Sequence, residues 1–171
     1  MSTINATDMG TGVAPDLQPV RKSVRVRANA ARAFKVFTEG FDSWWPRTHH
    51  IGDSPMVKSV IEGHLGGRCY TLQEDGVECK WAEITVWEPP KRFVMAWLIN
   101  SEWKSEPDAS KCSEVEVAFT PQPDGSTLVE LEHRNFDRMG APGASMRTGV
   151  ASEGGWGMLI ALFQTEVEKE A

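Results

Sequence analysis

Between Met56 and Arg134 apolar and polar residues alternate through successive short segments, and only one helical pattern long enough to cover a sheet follows them. That order constrains the fold more than any other feature. A period of two puts one side of each segment in the core, and an amphipathic sheet must bury that side against something. The alternating segments are Met56 to Glu62, Gly67 to Gln73, Val77 to Trp87, Arg92 to Asn100, Glu114 to Thr120 and Thr127 to Arg134. Glu88-Pro89-Pro90 and Pro123-Asp124-Gly125-Ser126 punctuate them as turns. After Ser145, Trp156, Leu159, Ile160, Phe163 and Val167 mark the buried stripe of a long helix, with Gln164, Glu166, Glu168 and Lys169 facing water.

Ahead of the alternation, Val20 to Arg27 reads as a further strand, placed at one edge of the meander by the short-connection rule. Asn29 is a helix cap and Gly40 a helix stop, and Ala30, Ala33, Phe34 and Phe37 between them share one face. Phe41 to Trp45 forms a second short helical turn, stopped by Pro46. Residues 1–19, rich in Ser, Thr, Asn, Gly and Pro, read as a disordered tail. The expectation is an α+β chain with a single domain over 20–171: about seven antiparallel strands curved around a C-terminal helix, with two short helices after the first strand. Asn135 to Ser145 is expected to be a loop, its glycines suiting it to act as a lid.

A net charge of -6 argues against nucleic acid and anionic membranes as partners. No apolar run is long enough to span a bilayer, and the N-terminus lacks a signal-peptide pattern, so the expected location is cytoplasmic. Cys69, Cys79 and Cys112 are odd in number and lack close spacing, so they read as reduced thiols. His49 and His50 are adjacent and His64 stands apart, which is not ligand spacing, and no metal is expected. Gly143-Ala144-Ser145-Met146-Arg147 lacks the last glycine of a nucleophile elbow, and Gly155-x-Gly157 lacks the third glycine of a dinucleotide fingerprint. With no phosphate-binding loop either, no cofactor and no ATP hydrolysis are expected.

The residues left to carry a function are aromatic. Trp81, Trp87, Trp97, Trp103 and Trp156, with Phe93, Met95 and Phe119, supply the surface that lines apolar pockets, or else an ordinary core. Gly154, Gly155 and Gly157 stand where helix is expected, at a cost of about 1 kcal/mol each relative to alanine. They either keep space open for a ligand, or allow close packing of helix on strand, or mark a helix that starts later, at Trp156. In Val129-Glu130-Leu131-Glu132-His133 the period of two turns His133 inward, to meet a ligand, act as acid or base, or be satisfied as a buried histidine. Arg92 and Glu83 are second polar candidates whose facing depends on register. The expected ligand-binding set is Trp81, Trp97, Phe119, His133, Gly154, Trp156 and Ile160, with no catalytic residue assigned.

Asn29 to Trp45, NAARAFKVFTEGFDSWW, resembles the opening helices of the helix-grip (SRPBCC) superfamily that includes START lipid-transfer domains and birch-pollen-allergen-like proteins. Gly66-Gly67-Arg68, Trp87-Glu88-Pro89-Pro90-Lys91-Arg92-Phe93-Val94 with Trp97, and Gly154-Gly155-Trp156-Gly157 with Leu162 look like its heat-shock-protein-90 ATPase activator-like branch, common in bacteria. The resemblance spans roughly 20–167. It implies one strand, two helices, six strands and a long helix, with a cavity beneath that helix. The chaperone-binding domain of such regulators is expected to have no counterpart in the short tail.

The leading expectation is a binding domain for a small apolar or amphipathic molecule, held between sheet and C-terminal helix. The first alternative, from the resemblance, is a chaperone co-factor or stress-response interaction domain, which an exposed patch at Phe41, Trp44 and Trp45 would favour. The second is an enzyme similar to the polyketide cyclase relatives, using His133. Exposed strand edges would also allow a homodimer.

Overall fold

The computed structural model describes residues 14–169. The first part of the expected tail, 1–13, lies outside the described residues. Pro15–Leu17 forms a 3-10 turn, Leu17 packs against the core, and the Gln18 carbonyl accepts a hydrogen bond from Arg147 Nε at 2.6 Å.

Strand β1 (Val20–Val26) is followed by helix α1 (Ala30–Thr38) and the short helix α2 (Phe41–Trp44). The Asn29 side chain caps α1 by accepting from the Arg32 N–H at 2.8 Å, and Ala30, Ala33, Phe34 and Phe37 are its buried face. A side chain at Gly40 would put a Cβ 2.9 Å from the Val36 carbonyl oxygen, so only glycine lets α2 leave α1 at this angle. Asp42 of α2 accepts from the Ser59 N–H and pairs with Arg47, and these partners hold its carboxyl below the usual range.

The meander follows as β2 (Met56–Ile61), β3 (Arg68–Gln73), β4 (Glu78–Glu88), β5 (Arg92–Trp97), β6 (Ser113–Pro121) and β7 (Thr127–Arg134). All seven strands join one antiparallel sheet in the order β1-β7-β6-β5-β4-β3-β2, with the first strand added at the edge. Register shifts between Met56 and Lys58, Cys69 and Tyr70, and Ile84 and Val86 bend the strands. The sheet is curved and its concave face is apolar; this is the α+β helix-grip fold. On the opposite face Arg134 bridges Glu114, Glu116 and Glu132, and Arg92 joins Glu88 and Glu116, so charged residues alternate with the buried set along β6 and β7.

Beyond β7 the structure departs from the expected loop and single helix. A 3-10 turn at Phe136–Met139 leads into α3 (Gly143–Ala151), the chain breaks at 152–155, and α4 runs over Trp156–Glu168. The reason lies in the glycines. A Cβ on Gly155 would stand 2.1 Å from the Val150 carbonyl oxygen, so the chain doubles back on α3 only where no side chain exists. Helix α4 then lies in the sheet's concavity. Arg32 donates to the Val167 carbonyl at its end, the Arg27 N–H donates to Glu168, and Gln164 donates to the Arg25 carbonyl.

Phe163 is fully buried at the middle of α4, with ring centroids 5.0 Å from Phe37 and 5.5 Å from Trp44. Phe163→Ala should destabilise the fold by about 3–5 kcal/mol in urea unfolding, through lost burial and the cavity left behind. Gln164→Ala, one residue on and on the polar face, should cost less than about 1.5 kcal/mol, the worth of its single hydrogen bond.

Candidate functional site

The concave interior has two halves. In one, Phe34, Phe37, Phe93, Phe119 and Phe163 pack edge to face or stacked, at centroid distances of 5.0–6.5 Å, and fill the space. In the other, tryptophans stand where the phenylalanines would be, and a cavity of about 360 Å³ remains. That volume is at the small end of the roughly 300–1,000 Å³ found for ligand pockets.

Each wall comes from a different element. Trp81 stands on β4 and Trp97 at the end of β5, with centroids 5.7 Å apart. Trp156 and Leu159 come from the first turn of α4, and Gly149 and Val150 from α3. Trp45 follows α2, where Pro46 turns the chain away, and its ring lies nearly parallel to that of Trp81, at 7° and 6.0 Å. The segment 48–51 and the break at 152–155 close over one side. There the Trp45 indole donates to the His49 carbonyl at 2.6 Å, and His49 Nε2 lies 2.8 Å from the Gly154 carbonyl oxygen. Trp103 reaches in from the β5–β6 loop.

The lining contains no Asp, Glu, Lys or Arg. Its polar side chains are Thr48, His49, His50 and Ser152, together with the indole N–H groups. Trp97 Nε1 is buried without a partner among the described residues, an unusual state for an indole N–H in a tightly packed wall.

His133 faces inward with Val129 and Leu131, and it stands directly behind the cavity rather than in its wall. It is fully buried. Trp156 Nε1 is only a donor, so its 3.0 Å contact makes His133 Nδ1 the acceptor and leaves the ring proton on Nε2. That proton faces Ser113 Oγ at 2.7 Å. Phe136 stacks on the imidazole at 4.7 Å. Burial pulls the His133 pKa down to about 3, so the ring is neutral at physiological pH. Both nitrogens are engaged, Nδ1 by Trp156 and Nε2 by Ser113, and the geometry is that of a satisfied buried histidine.

Of the residues expected from sequence, Trp81, Trp97, Gly154 and Trp156 meet at the cavity. Phe119 belongs to the phenylalanine half, 5.1 Å from Phe34. Ile160 is buried on α4 outside the lining, and Arg92 and Glu83 point outward into ion pairs. The sequence reading passed over Trp45, Ile51, Ile99 and Leu159 as site residues, and weighed His49 and His50 only as metal ligands. For Leu159 the signal was present, one turn from Trp156 on the same stripe. Among the described residues no cluster of His, Cys, Asp and Glu could hold a metal, and no helix is long and apolar enough to cross a membrane. Cys69, Cys79 and Cys112 are free thiols; burial pushes Cys112 up to about 11 and raises the other two.

The sequence profile of the Activator of Hsp90 ATPase homolog 1-like protein family matches residues 27–168. No curated protein matches the chain. Among solved structures, the anthrahydroquino-γ-pyrone synthase Txn09 complexed with SUM is 35% identical, over 89% of this chain and 99% of its own, with a TM-score of 0.61. The self-sacrificing resistance protein CalC from Micromonospora echinospora is 30% identical, over 91% of this chain and 97% of its own, with a TM-score of 0.66. Protein NE0264 from Nitrosomonas europaea covers 93% of this chain and 99% of its own at a TM-score of 0.61, but at 12% identity the likeness is one of fold alone.

The buried imidazole carries a pH signature. An unfolded chain protonates His133 near pH 6.5, whereas the folded protein resists until about 3, so acid favours unfolding across that window. Between pH 6.5 and 4.5 the wild-type protein should lose up to about 1.4 kcal/mol of stability per pH unit more than His133→Gln, which keeps an acceptor for Trp156. The check is urea unfolding of both proteins at several pH values; parallel pH profiles would contradict the assignment.

Proposed function

Because the chain belongs to the Activator of Hsp90 ATPase homolog 1-like family, we propose that it is a small-molecule-binding domain whose cavity beneath α4 takes an apolar or amphipathic ligand. The observation that carries this reading is a 360 Å³ space walled by five indoles, with no charged side chain, in a fold whose other half is packed solid. A core selected only for stability would fill such a space, since each unfilled methyl-sized void costs roughly 1 kcal/mol. Thr48, His49, His50 and Ser152 give a ligand's polar end partners at the cavity wall, which suits an amphipathic guest better than a pure hydrocarbon.

Two of the similar solved structures carry names that bear on the reading. One is named an anthrahydroquino-γ-pyrone synthase and another a self-sacrificing resistance protein. The synthase raises the enzymatic alternative, but His133, the residue that reading would use, spends both ring nitrogens on Trp156 and Ser113. The chaperone co-factor alternative looks for an exposed patch at Phe41, Trp44 and Trp45, and all three are buried. Binding, without a catalytic step, is therefore the reading the geometry supports best.

Native mass spectrometry of freshly purified protein, set against its denatured mass, tests it. A companion mass that leaves on denaturation is expected, and it should be lost from folded Trp81→Ala, which removes a wall of the cavity. A companion retained unchanged by that variant would place the ligand elsewhere.

A further inference from the structure

Trp103 is built into the fold at a cost that nothing in the core recovers. Its φ is +60°, and among the described residues only Asn135 is another non-glycine at positive φ. Asparagine tolerates that region, whereas a bulky indole rarely enters it. Such a conformation persists only where the surroundings over-determine it. Here Asn100 does so. Its side-chain oxygen accepts from the N–H groups of Glu102 and Lys104 at 2.9 and 3.1 Å. Its backbone accepts from the Trp103 N–H and donates to the Lys104 carbonyl, both at 2.9 Å, and Ile99 pairs with Ser105 to close the loop.

The strained loop seats the indole at one place. Trp103 Cζ2 lies against Gly149, where a Cβ would come within 2.8 Å. Glycine inside a helix is unfavourable, so α3 also gives up stability to admit this ring. Yet Trp103 is 47% exposed and is not part of the hydrophobic core. What it does adjoin is the cavity, whose wall it completes beside Ile99 and Gly149. Opposing costs on two separate elements thus serve one half-exposed aromatic at the cavity's edge.

We propose that Trp103 is a specificity-determining residue of the cavity, a preformed aromatic flap that selects a flat ring system over a flexible chain. This rests on the ligand-binding reading above and narrows it to a ligand class. The inner wall is already suited to a flat ligand, because Trp45 and Trp81 are parallel and are held there by Phe41, which stacks on both, and by the bond from Trp45 to the His49 carbonyl. Rigid parallel rings reward a planar guest by stacking. They offer a flexible chain no comparable gain for the torsional freedom it loses.

Two monoanions of matched charge separate the possibilities: anthraquinone-2-sulfonate as the flat probe and dodecanoate as the flexible one, with binding followed by indole fluorescence. Wild-type protein should bind the flat probe about tenfold or more tighter than the chain. Trp103→Gly should weaken the flat probe by about tenfold, with a melting temperature equal to or above wild type, because glycine relieves the left-handed backbone. Trp103→Asn, which also accepts that backbone, should behave the same way and guards against a folding defect in the first variant. Gly149→Ala should weaken the flat probe by a smaller factor, since the ring is displaced rather than removed. Equal affinity for the two probes, or unchanged affinity in Trp103→Gly, would overturn the proposal while leaving ligand binding intact. If neither probe bound and native spectra showed the bare mass, the binding reading itself would fall and take this one with it.

Discussion

A hydrogen-bonded chain from Trp156 through His133 to Ser113 holds the two halves of this protein in register. Trp156 is the first residue of α4, His133 is near the end of β7, and Ser113 opens β6. All three are buried to within 2% of full coverage, where an unmade hydrogen bond costs about 1–3 kcal/mol. The start of α4 can therefore sit at only one height over the sheet without stranding a polar atom. Apolar packing alone is tolerant of sliding by comparison, because one aliphatic contact substitutes for another. The opposite end of the helix is pinned to α1 and to the segment after β1 by Arg32 and Arg27.

That fixed helix explains why a cavity can exist. Around Phe163 the phenylalanines of α1, β5 and β6 close on α4 and leave no room. Around Trp156 the facing residues are indoles, and two of the rings are oriented by hydrogen bonds: Trp156 to His133 and Trp45 to the His49 carbonyl. A ring tied in this way cannot collapse into adjacent space as a free aliphatic chain would. Directional bonds thus help to hold the space open. The same bonds take His133 out of consideration as a titrating group near neutrality, since charging it would require breaking the link to Trp156 inside a low-dielectric interior.

The charged outer face of the sheet has a simpler logic. Arg134 meets three carboxylates from two strands, and Arg92 shares Glu116 with it, so like charges on β6 and β7 are separated by guanidinium groups. This tolerates the acidic alternation that the inward-facing valines and leucines of those strands impose on their neighbours. Partly exposed pairs of this kind contribute modestly, about 0–1 kcal/mol each, and the inward face carries most of the stability.

Much of the fold was legible from residues alone, because periodicity is a local property. Alternation over 127–134 put His133 on the inner face with Val129 and Leu131, the cap at Asn29 started α1, and the spacing of Trp156, Leu159, Phe163 and Val167 marked the buried side of α4. The same pattern is silent on which inward side chains meet one another. Phe119 and Trp97 both face the concavity, yet one fills the phenylalanine half and the other borders the cavity. That difference depends on strand bulges, on the height of α4 and on the return of residues 152–155 over α3, all set by contacts between residues far apart in the chain. Trp103 was the least legible, since its left-handed backbone and its seat on Gly149 are decided by Asn100 and by α3 together. By itself the sequence determined which faces are buried; only the tertiary structure decided where burial stops short of filling, because a void is a property of the distances between elements and not of any one of them.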